Sequence, residues 1–166
     1  MDKIFDALFS PRVFFRNGHV SPWDSLKVIV LIWFIDVVIM YPTLKSCPFF
    51  GNYVLFSLVL LVIAIVYFLW TMVTHMIFTP VKRDVVWRLP FVFLPHIVSG
   101  WIVALSLKST TMLALFIIPI GWSTILEFYF VRATAGRGMF YTLILRAVRD
   151  AIFIVAVISF LRGWVS

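Results

Sequence analysis

The sequence is poor in charged residues, which make up 13% of its 166 residues, whereas an average soluble domain has roughly 25%. Hydrophobic residues account for 63% of the chain. A soluble fold of this length could not bury so much apolar surface, so a lipid bilayer must be the solvent for much of it. The shortage of charge therefore excludes an ordinary soluble domain and predicts an all-α membrane protein.

Cysteine is nearly absent as well, because Cys47 is the only one in the chain. A single cysteine excludes an intrachain disulfide and any metal site built on cysteines. The sequence also lacks the pattern of a cleavable signal, since no small-x-small site follows the first apolar run. We therefore expect the first span to remain in the mature protein, and we expect no bound cofactor.

The few charges are mostly basic and give a net charge of +7. The basic residues lie between apolar runs and form no continuous patch, which argues against a nucleic-acid surface. Anionic lipid headgroups are the expected partners instead. The predicted headgroup contacts are Arg12, Arg16, Lys82, Arg83, Arg88, Arg132 and Arg137.

The apolar runs predict a transmembrane bundle of five helices, since about 20 α-helical residues cover the roughly 30 Å of a hydrocarbon core. The predicted spans are 22–41, 53–78, 90–107, 112–131 and 139–161. In the last of these only 151–161 is free of charge. Segment 139–150 therefore either belongs to the span or is an interfacial helix that bends into a half-span.

Helix-start and helix-stop residues refine these spans. Ser21 and Asp24 have the spacing of a capping box at the start of the first span. We expect this span to end before Pro42. Pro95 and Pro119 lie inside the third and fourth spans, where each removes a helix hydrogen bond and is expected to kink its helix.

Short amphipathic segments are predicted on the cytoplasmic side. Residues 1–20 form a cytoplasmic and interfacial segment, in which 1–9 have the pattern of an amphipathic helix and Ser10 is expected to cap a second helix. Residues 80–89 are predicted to form a further interfacial helix. Residues 21–166 then form the transmembrane domain.

The distribution of lysine and arginine predicts the orientation of the bundle. In the five-span arrangement only Lys45, Lys108 and Arg162 of the 14 basic residues fall on the outer side. Loops rich in lysine and arginine stay in the cytoplasm. The N-terminus is therefore predicted to be cytoplasmic and the C-terminus to lie outside, in the plasma (inner) membrane of a prokaryote.

Ionisable residues within the predicted spans are candidate site residues, because a charge in hydrocarbon needs a partner. Glu127 is expected to neutralise Arg146 or Arg149 and so to lock the helices together. Asp36 is expected to be protonated or paired with Arg149. The full predicted polar cluster is Asp36, His75, His96, Glu127, Arg146, Arg149 and Asp150. The alternative is a proton relay or a metal site, with the candidate ligands His75, His96 and Glu127.

Three stretches of the chain form a recognisable pattern: the opening FDALFSPRVFFRNG, the segment RLPFVFLPHIVSGW, and the segment GWSTILEFYFVRATAGRGMFYTLI. They resemble prokaryotic members of the Yip family (Ypt/Rab-interacting membrane proteins). The resemblance implies five spans and a cytoplasmic N-terminus, and it supplies no catalytic residues. The chain lacks the D-L-Y-G-P motif of the eukaryotic members, which argues against GTPase binding.

Two functions are compatible with these residues. The first is a non-enzymatic scaffold or accessory subunit that packs against other membrane proteins, as part of a larger complex, or shapes the bilayer. The alternative is a small transporter, channel or proton-conducting subunit that uses the charges at Asp36, Glu127 and Arg146. No residues have the arrangement of a nucleophile with its base, so we do not expect an enzyme.

Overall fold

Helices make up nearly all of the chain that the computed structural model describes, which is residues 2–44, 53–79, 86–106 and 110–165. These residues contain no strand, and the predicted all-α class is confirmed. The α-helices are α1 (Asp2–Phe9), α2 (Pro11–Asn17), α3 (Pro22–Leu44), α4 (Tyr53–Phe78), α5 (Ser99–Ser106), α6 (Ile117–Ala135) and α7 (Met139–Val165). Two 3₁₀ helices, Val86–Val98 and Thr110–Phe116, precede α5 and α6.

The predicted capping box begins α3. The hydroxyl of Ser21 accepts a hydrogen bond from the Asp24 backbone N–H at 3.2 Å, and the Asp24 carboxylate accepts one from the Ser21 N–H at 3.0 Å. The ammonium of Lys3 donates to the same carboxylate at 2.8 Å and ties α1 to the start of α3. The sequence prediction is confirmed here in both of its hydrogen bonds.

The predicted side-chain cap of α2 by the Ser10 hydroxyl is not formed. Ser10 precedes Pro11 as expected, but its side chain makes no capping hydrogen bond. Its carbonyl oxygen instead accepts from the N–H groups of Val13 and Phe14, both at 3.0 Å. Proline at the first helical position already fixes the backbone for a helix, so the helix can begin without the hydroxyl.

The structure also bears on two proline predictions. Helix α3 does not stop before Pro42 but continues to Leu44. Only two residues of the helix follow this proline, so the disruption that it causes is confined to the last turn. Pro119 lies in the first turn of α6, which follows directly on the 3₁₀ helix Thr110–Phe116. The winding therefore changes just before this proline, and the kink expected there stays a prediction.

The third predicted span is not one α-helix. It begins as the 3₁₀ helix Val86–Val98 and continues as α5, which ends at Ser106. Pro90 and Pro95 both lie within the 3₁₀ segment and remove backbone donors from it. Instead of a single kink at Pro95, a whole segment takes the tighter winding. Residues 80–85 of the predicted interfacial helix lie outside the described residues.

The two parts of the last predicted span, 139–150 and 151–161, form one helix. Helix α7 runs without interruption through 27 residues, Met139–Val165. The helix has no break between 139–150 and 151–161. Whether 139–150 lies in the membrane interface or within the span stays a prediction.

The 3₁₀ helix Val86–Val98 supplies much of the core and packs mainly against α3 and α6. Its Leu89, Phe91 and Val92 are almost fully buried. Helix α2 closes this core from the N-terminal side, because Phe14 contacts the ring of Phe91 at 4.9 Å between centroids. The amphipathic N-terminal segment is thus packed onto the bundle.

Two of the described helical segments, Ser57–Phe78 and Ala114–Ala135, are long and apolar enough to cross a membrane. They correspond to the predicted second and fourth spans and indicate membrane association. By the same standard of length and composition the other three predicted spans do not qualify within the described residues. Helices α3 and α7 are long enough but carry charged residues, and the third predicted span is divided.

Candidate functional site

Glu127 on α6 lies at the centre of a buried group of charged side chains. Its side chain is 0% exposed. Arg149 Nη1 donates to Oε1 at 2.6 Å, and Arg146 Nη1 donates to Oε2 at 3.3 Å. The sequence left open which arginine Glu127 neutralises, and the structure pairs it with both.

Helix α7 supplies the rest of these charges from one face. Arg146, Arg149 and Asp150 have the i, i+3, i+4 spacing that places side chains side by side. Arg149 Nε donates to Asp150 Oδ1 at 2.8 Å, and Arg146 Nε lies 3.6 Å from Oδ2. Two guanidinium groups thus face two carboxylates. We call Glu127, Arg146, Arg149, Asp150 and the adjoining His75 the charge cluster.

Helix α4 contributes neutral side chains to this cluster that sequence reasoning missed. The Tyr67 hydroxyl donates to Asp150 Oδ1 at 2.8 Å and accepts from Arg149 Nη2 at 3.2 Å. The indole of Trp70 donates to the Arg149 carbonyl oxygen at 3.1 Å. A signal was present in the sequence, since Tyr67, Thr71 and His75 recur every four residues along an otherwise apolar helix and so share one face.

His75 is fully buried between two acceptors. Nδ1 lies 2.9 Å from the carbonyl oxygen of Thr71, and Nε2 lies 3.2 Å from Glu127 Oε1. The second contact is close enough for an ion pair but is not aligned as a hydrogen bond. The Thr71 carbonyl oxygen can only accept, so Nδ1 donates this hydrogen bond. His75 thus adds a third side chain to the two arginines around the Glu127 carboxylate.

Asp36 lies apart from the charge cluster. Its Oδ1 accepts a hydrogen bond from the Gly100 backbone N–H at 2.8 Å, and among the described residues it forms no ion pair with Arg149. The predicted pairing is therefore not formed. A Cβ at Gly100 would lie 2.9 Å from Asp36 Oδ1 and 3.1 Å from its Cα. The absence of a side chain at Gly100 is what lets α5 approach α3 so closely.

His96 is likewise separate from Glu127. Its Nδ1 lies 3.3 Å from the Ser99 hydroxyl, and it lines a cavity of about 570 Å³ together with Asp36, Arg146 and Asp150. Most of the other lining side chains, contributed by α3, α4 and the 3₁₀ helix, are apolar. In the described part of the chain no three His, Cys, Asp or Glu residues converge as a metal-ligand set.

The predicted headgroup arginines fall into different places. Arg12, Arg16 and Arg132 line one pocket between α2 and α6. The guanidinium of Arg137 lies over the ring of Tyr141, at 5.6 Å. Arg88 donates to the Phe15 carbonyl oxygen at 2.7 Å and so joins the 3₁₀ helix to α2. Lys82 and Arg83 lie outside the described residues.

Comparison with known proteins assigns no function to this arrangement of side chains. No family model matches the chain, and no curated protein or solved structure shows a significant match to it. The resemblance to the Yip family thus neither gains nor loses support, and function has to be inferred from the arrangement of the side chains.

Proposed function

We propose that this chain is a five-span membrane protein with a cytoplasmic N-terminus and an outer C-terminus, and that it acts as a non-enzymatic scaffold or accessory subunit. In this role it packs against other membrane proteins or shapes the bilayer. The observation that carries the proposal is that the charges of Glu127, Arg146 and Arg149 are buried inside the bundle while many large apolar side chains face outward.

The outward-facing apolar side chains extend over several helices. Ile77 at the end of α4 is 68% exposed and Val155 on α7 is 64% exposed, while Glu127 and Arg149 are almost fully buried. A monomeric soluble protein rarely exposes large continuous apolar patches. Hydrocarbon reverses this preference, because every polar group in it must find a partner within the protein. The surface therefore suits lipid tails or the apolar faces of partner helices.

The charge cluster supports a structural role over a catalytic one. Each carboxylate in it contacts arginine, and both arginines contact carboxylates. An acid or base that works in catalysis needs a proton-transfer path to a substrate, whereas the charges of Glu127, Arg146, Arg149 and Asp150 are paired with one another. Their contacts tie α4, α6 and α7 together within a low-dielectric interior. The resemblance to the Yip family points to the same kind of role.

The topology is tested by placing single cysteines in a C47S background. We expect a cysteine at Ser10 to react with a membrane-impermeant maleimide only after the membrane is opened, and one at Ser166 to react in intact cells or right-side-out vesicles. Labelling of both positions from the same side would contradict the five-span arrangement.

The scaffold role is tested by photo-crosslinking in the native membrane. A photoreactive amino acid replaces Ile77 or Val155 on the outward face, and Leu126, which is fully buried, serves as the matched internal control. We expect discrete protein adducts from the outward positions and none from position 126. Adducts to lipid alone at every outward position would contradict the scaffold.

A second candidate, a small transporter, is favoured by one observation. The cavity of about 570 Å³ is lined in part by Asp36, His96 and Arg146. Such a cavity could form part of a path for a small ion. Proton or ion flux in reconstituted liposomes that is lost on D36N, with G121A as a control at a position with open space for a Cβ, would replace the scaffold by a transporter.

A further inference from the structure

A pocket between α2 and α6 gathers three arginines. It is lined by Arg12, Arg16, Tyr129, Arg132 and Ala133 and has a volume of about 310 Å³. We call this set of residues the basic pocket. Arg12 and Arg16 are one helical turn apart on α2 and so share a face, and Arg132 comes from the last turn of α6.

The helices that carry these arginines are firmly packed. Phe15 of α2 meets Phe130 of α6 edge to face, with 5.8 Å between the ring centroids and an interplanar angle of 84°. Both phenylalanines are almost fully buried. Arg88 donates to the carbonyl oxygens of Phe15 and Arg16 at 2.7 and 3.3 Å. The spacing between α2 and the end of α6 is thereby fixed before any ligand arrives.

The basic pocket has no carboxylate of its own. Among the described residues none of its three arginines forms an ion pair, and the contact of Arg132 is with the ring of Phe128 at 5.7 Å. Three like charges facing one concavity repel each other. An anion in the pocket would relieve that repulsion, and one with more than a single negative charge would relieve it most.

We propose that the basic pocket binds a phosphate group that carries more than one negative charge, as the phosphomonoester headgroup of a membrane lipid does. Guanidinium groups match phosphate oxygens through paired hydrogen bonds, and the Tyr129 hydroxyl can add another donor. The pocket belongs to the chain's own fold and holds one headgroup, which distinguishes it from diffuse attraction between basic loops and anionic lipid.

The N-terminal segment that supplies Arg12 and Arg16 also exposes apolar side chains, which favours lipid as the source of the phosphate. Phe9 at the end of α1 is 74% exposed and Val13 on α2 is 61% exposed. Apolar side chains exposed at the headgroup layer suit the acyl chains of a lipid. The inference rests on the proposed topology, which places α2 and the C-terminal end of α6 at the cytoplasmic headgroups.

The experiment measures lipid retention by native mass spectrometry of the full chain released from nanodiscs. The discs contain phosphatidylcholine with one-tenth of either phosphatidic acid, a phosphomonoester, or phosphatidylglycerol, a phosphodiester. The variants are R16Q and R132Q. The matched control is R137Q. Arg137 was also predicted to contact headgroups, but its guanidinium lies over the ring of Tyr141 and outside the basic pocket, so this variant removes the same charge without changing the pocket.

We expect the wild-type chain to retain one phosphatidic acid and to prefer it over phosphatidylglycerol. Each of R16Q and R132Q should weaken this retention about tenfold, which is the size expected for one charge-assisted contact. R137Q should retain the lipid as the wild type does. The proposal is overturned if R137Q weakens retention as much as R132Q, or if phosphatidic acid shows no preference.

Two further arms separate the sources of phosphate and the two proposals. Inorganic phosphate and a soluble glycerol phosphate are titrated against the retained lipid. Displacement only at concentrations far above that of the lipid supports a lipid site, while equal binding of the soluble phosphate overturns the lipid assignment. The cysteine-labelling assay and the lipid measurement are run on the same full chain with its three pocket arginines intact. Correct topology with no lipid retention overturns the basic pocket alone, whereas wrong topology overturns the proposed function.

Discussion

Two groups of arginines in this protein differ in their burial and in their contacts with carboxylates. Arg146 and Arg149 lie inside the bundle, and each contacts carboxylates at Glu127 and Asp150. Arg12, Arg16 and Arg132 lie at the surface around one pocket and, in the described part of the chain, contact no carboxylate. The buried arginines form ion pairs with carboxylates of the protein itself. The charges of the surface arginines are balanced by solvent ions or by a bound anion.

This difference shows which arginines stabilise the fold and which are available for binding. A buried charge without a partner costs several kcal/mol, so a partner has to be present whenever the protein is folded. An exposed charge is stabilised by water and salt, so its partner can come and go. Changes to the charge cluster should therefore lower stability, and changes to the basic pocket should alter binding alone.

The largest effect is expected from E127Q, which leaves two buried arginines with one carboxylate between them. Removing one member of a buried ion pair costs about 3–5 kcal/mol of unfolding free energy. Thermal and denaturant unfolding in mild detergent measure it. D2N serves as the control, because it removes a carboxylate from an exposed position in α1. Equal stability of E127Q and D2N would mean that the charge cluster does not stabilise the bundle.

A smaller free-energy difference is expected for the energetic coupling between Glu127 and Arg149. In a double-mutant cycle with E127Q and R149Q, the double variant should lose less stability than the two single losses together. The difference should be about 0.5–3 kcal/mol, as for residues in one network. Strict additivity would show that Arg149 and Glu127, which are 2.6 Å apart, act independently.

Matched tyrosine variants compare the two regions directly. Y67F removes a hydroxyl that bonds to Asp150 and Arg149 in the charge cluster, and the expected loss is about 1 kcal/mol of unfolding free energy. Y129F removes a hydroxyl from the basic pocket and should leave stability unchanged. If Y129F destabilises the protein as much as Y67F does, the proposed division between the regions fails.

The smallest effect is expected from R132Q, which should not lower the melting temperature of the lipid-free protein. It removes one of three repelling charges, so a slight rise is the expected direction. Added salt should stabilise the wild type by screening that repulsion, and R132Q should respond less. A clear loss of stability in R132Q, measured at low and high salt in the same detergent, would place Arg132 among the structural arginines.

The sequence was informative where one residue pattern decides the outcome. The all-α class and the capping box of Ser21 and Asp24 each depend on local hydropathy or local hydrogen bonding, whereas the sequence leaves open whether 139–150 and 151–161 form one straight helix. The convergence of Glu127 with Arg146 and Arg149 could also be anticipated, because charges within apolar helices have few alternatives to pairing.

What the sequence could not supply is the rotation and height of one helix relative to another. The pairing of Asp36 with the Gly100 N–H depends on how closely α5 approaches α3, and the contacts of Tyr67 depend on which face α4 turns towards α7. Two prolines predict a disturbance in the third span, but they do not distinguish a kink from a 3₁₀ helix. The five-span topology itself stays a prediction.

The 3₁₀ helix Val86–Val98 has a consequence for how membrane crossings are counted in sequences. A 3₁₀ helix advances about 2.0 Å per residue, against 1.5 Å in an α-helix. The 13 residues of this segment therefore reach about 26 Å, a distance for which an α-helix needs about 17 residues. Hydropathy windows calibrated on α-helical length will underestimate the distance that such a proline-bearing stretch covers.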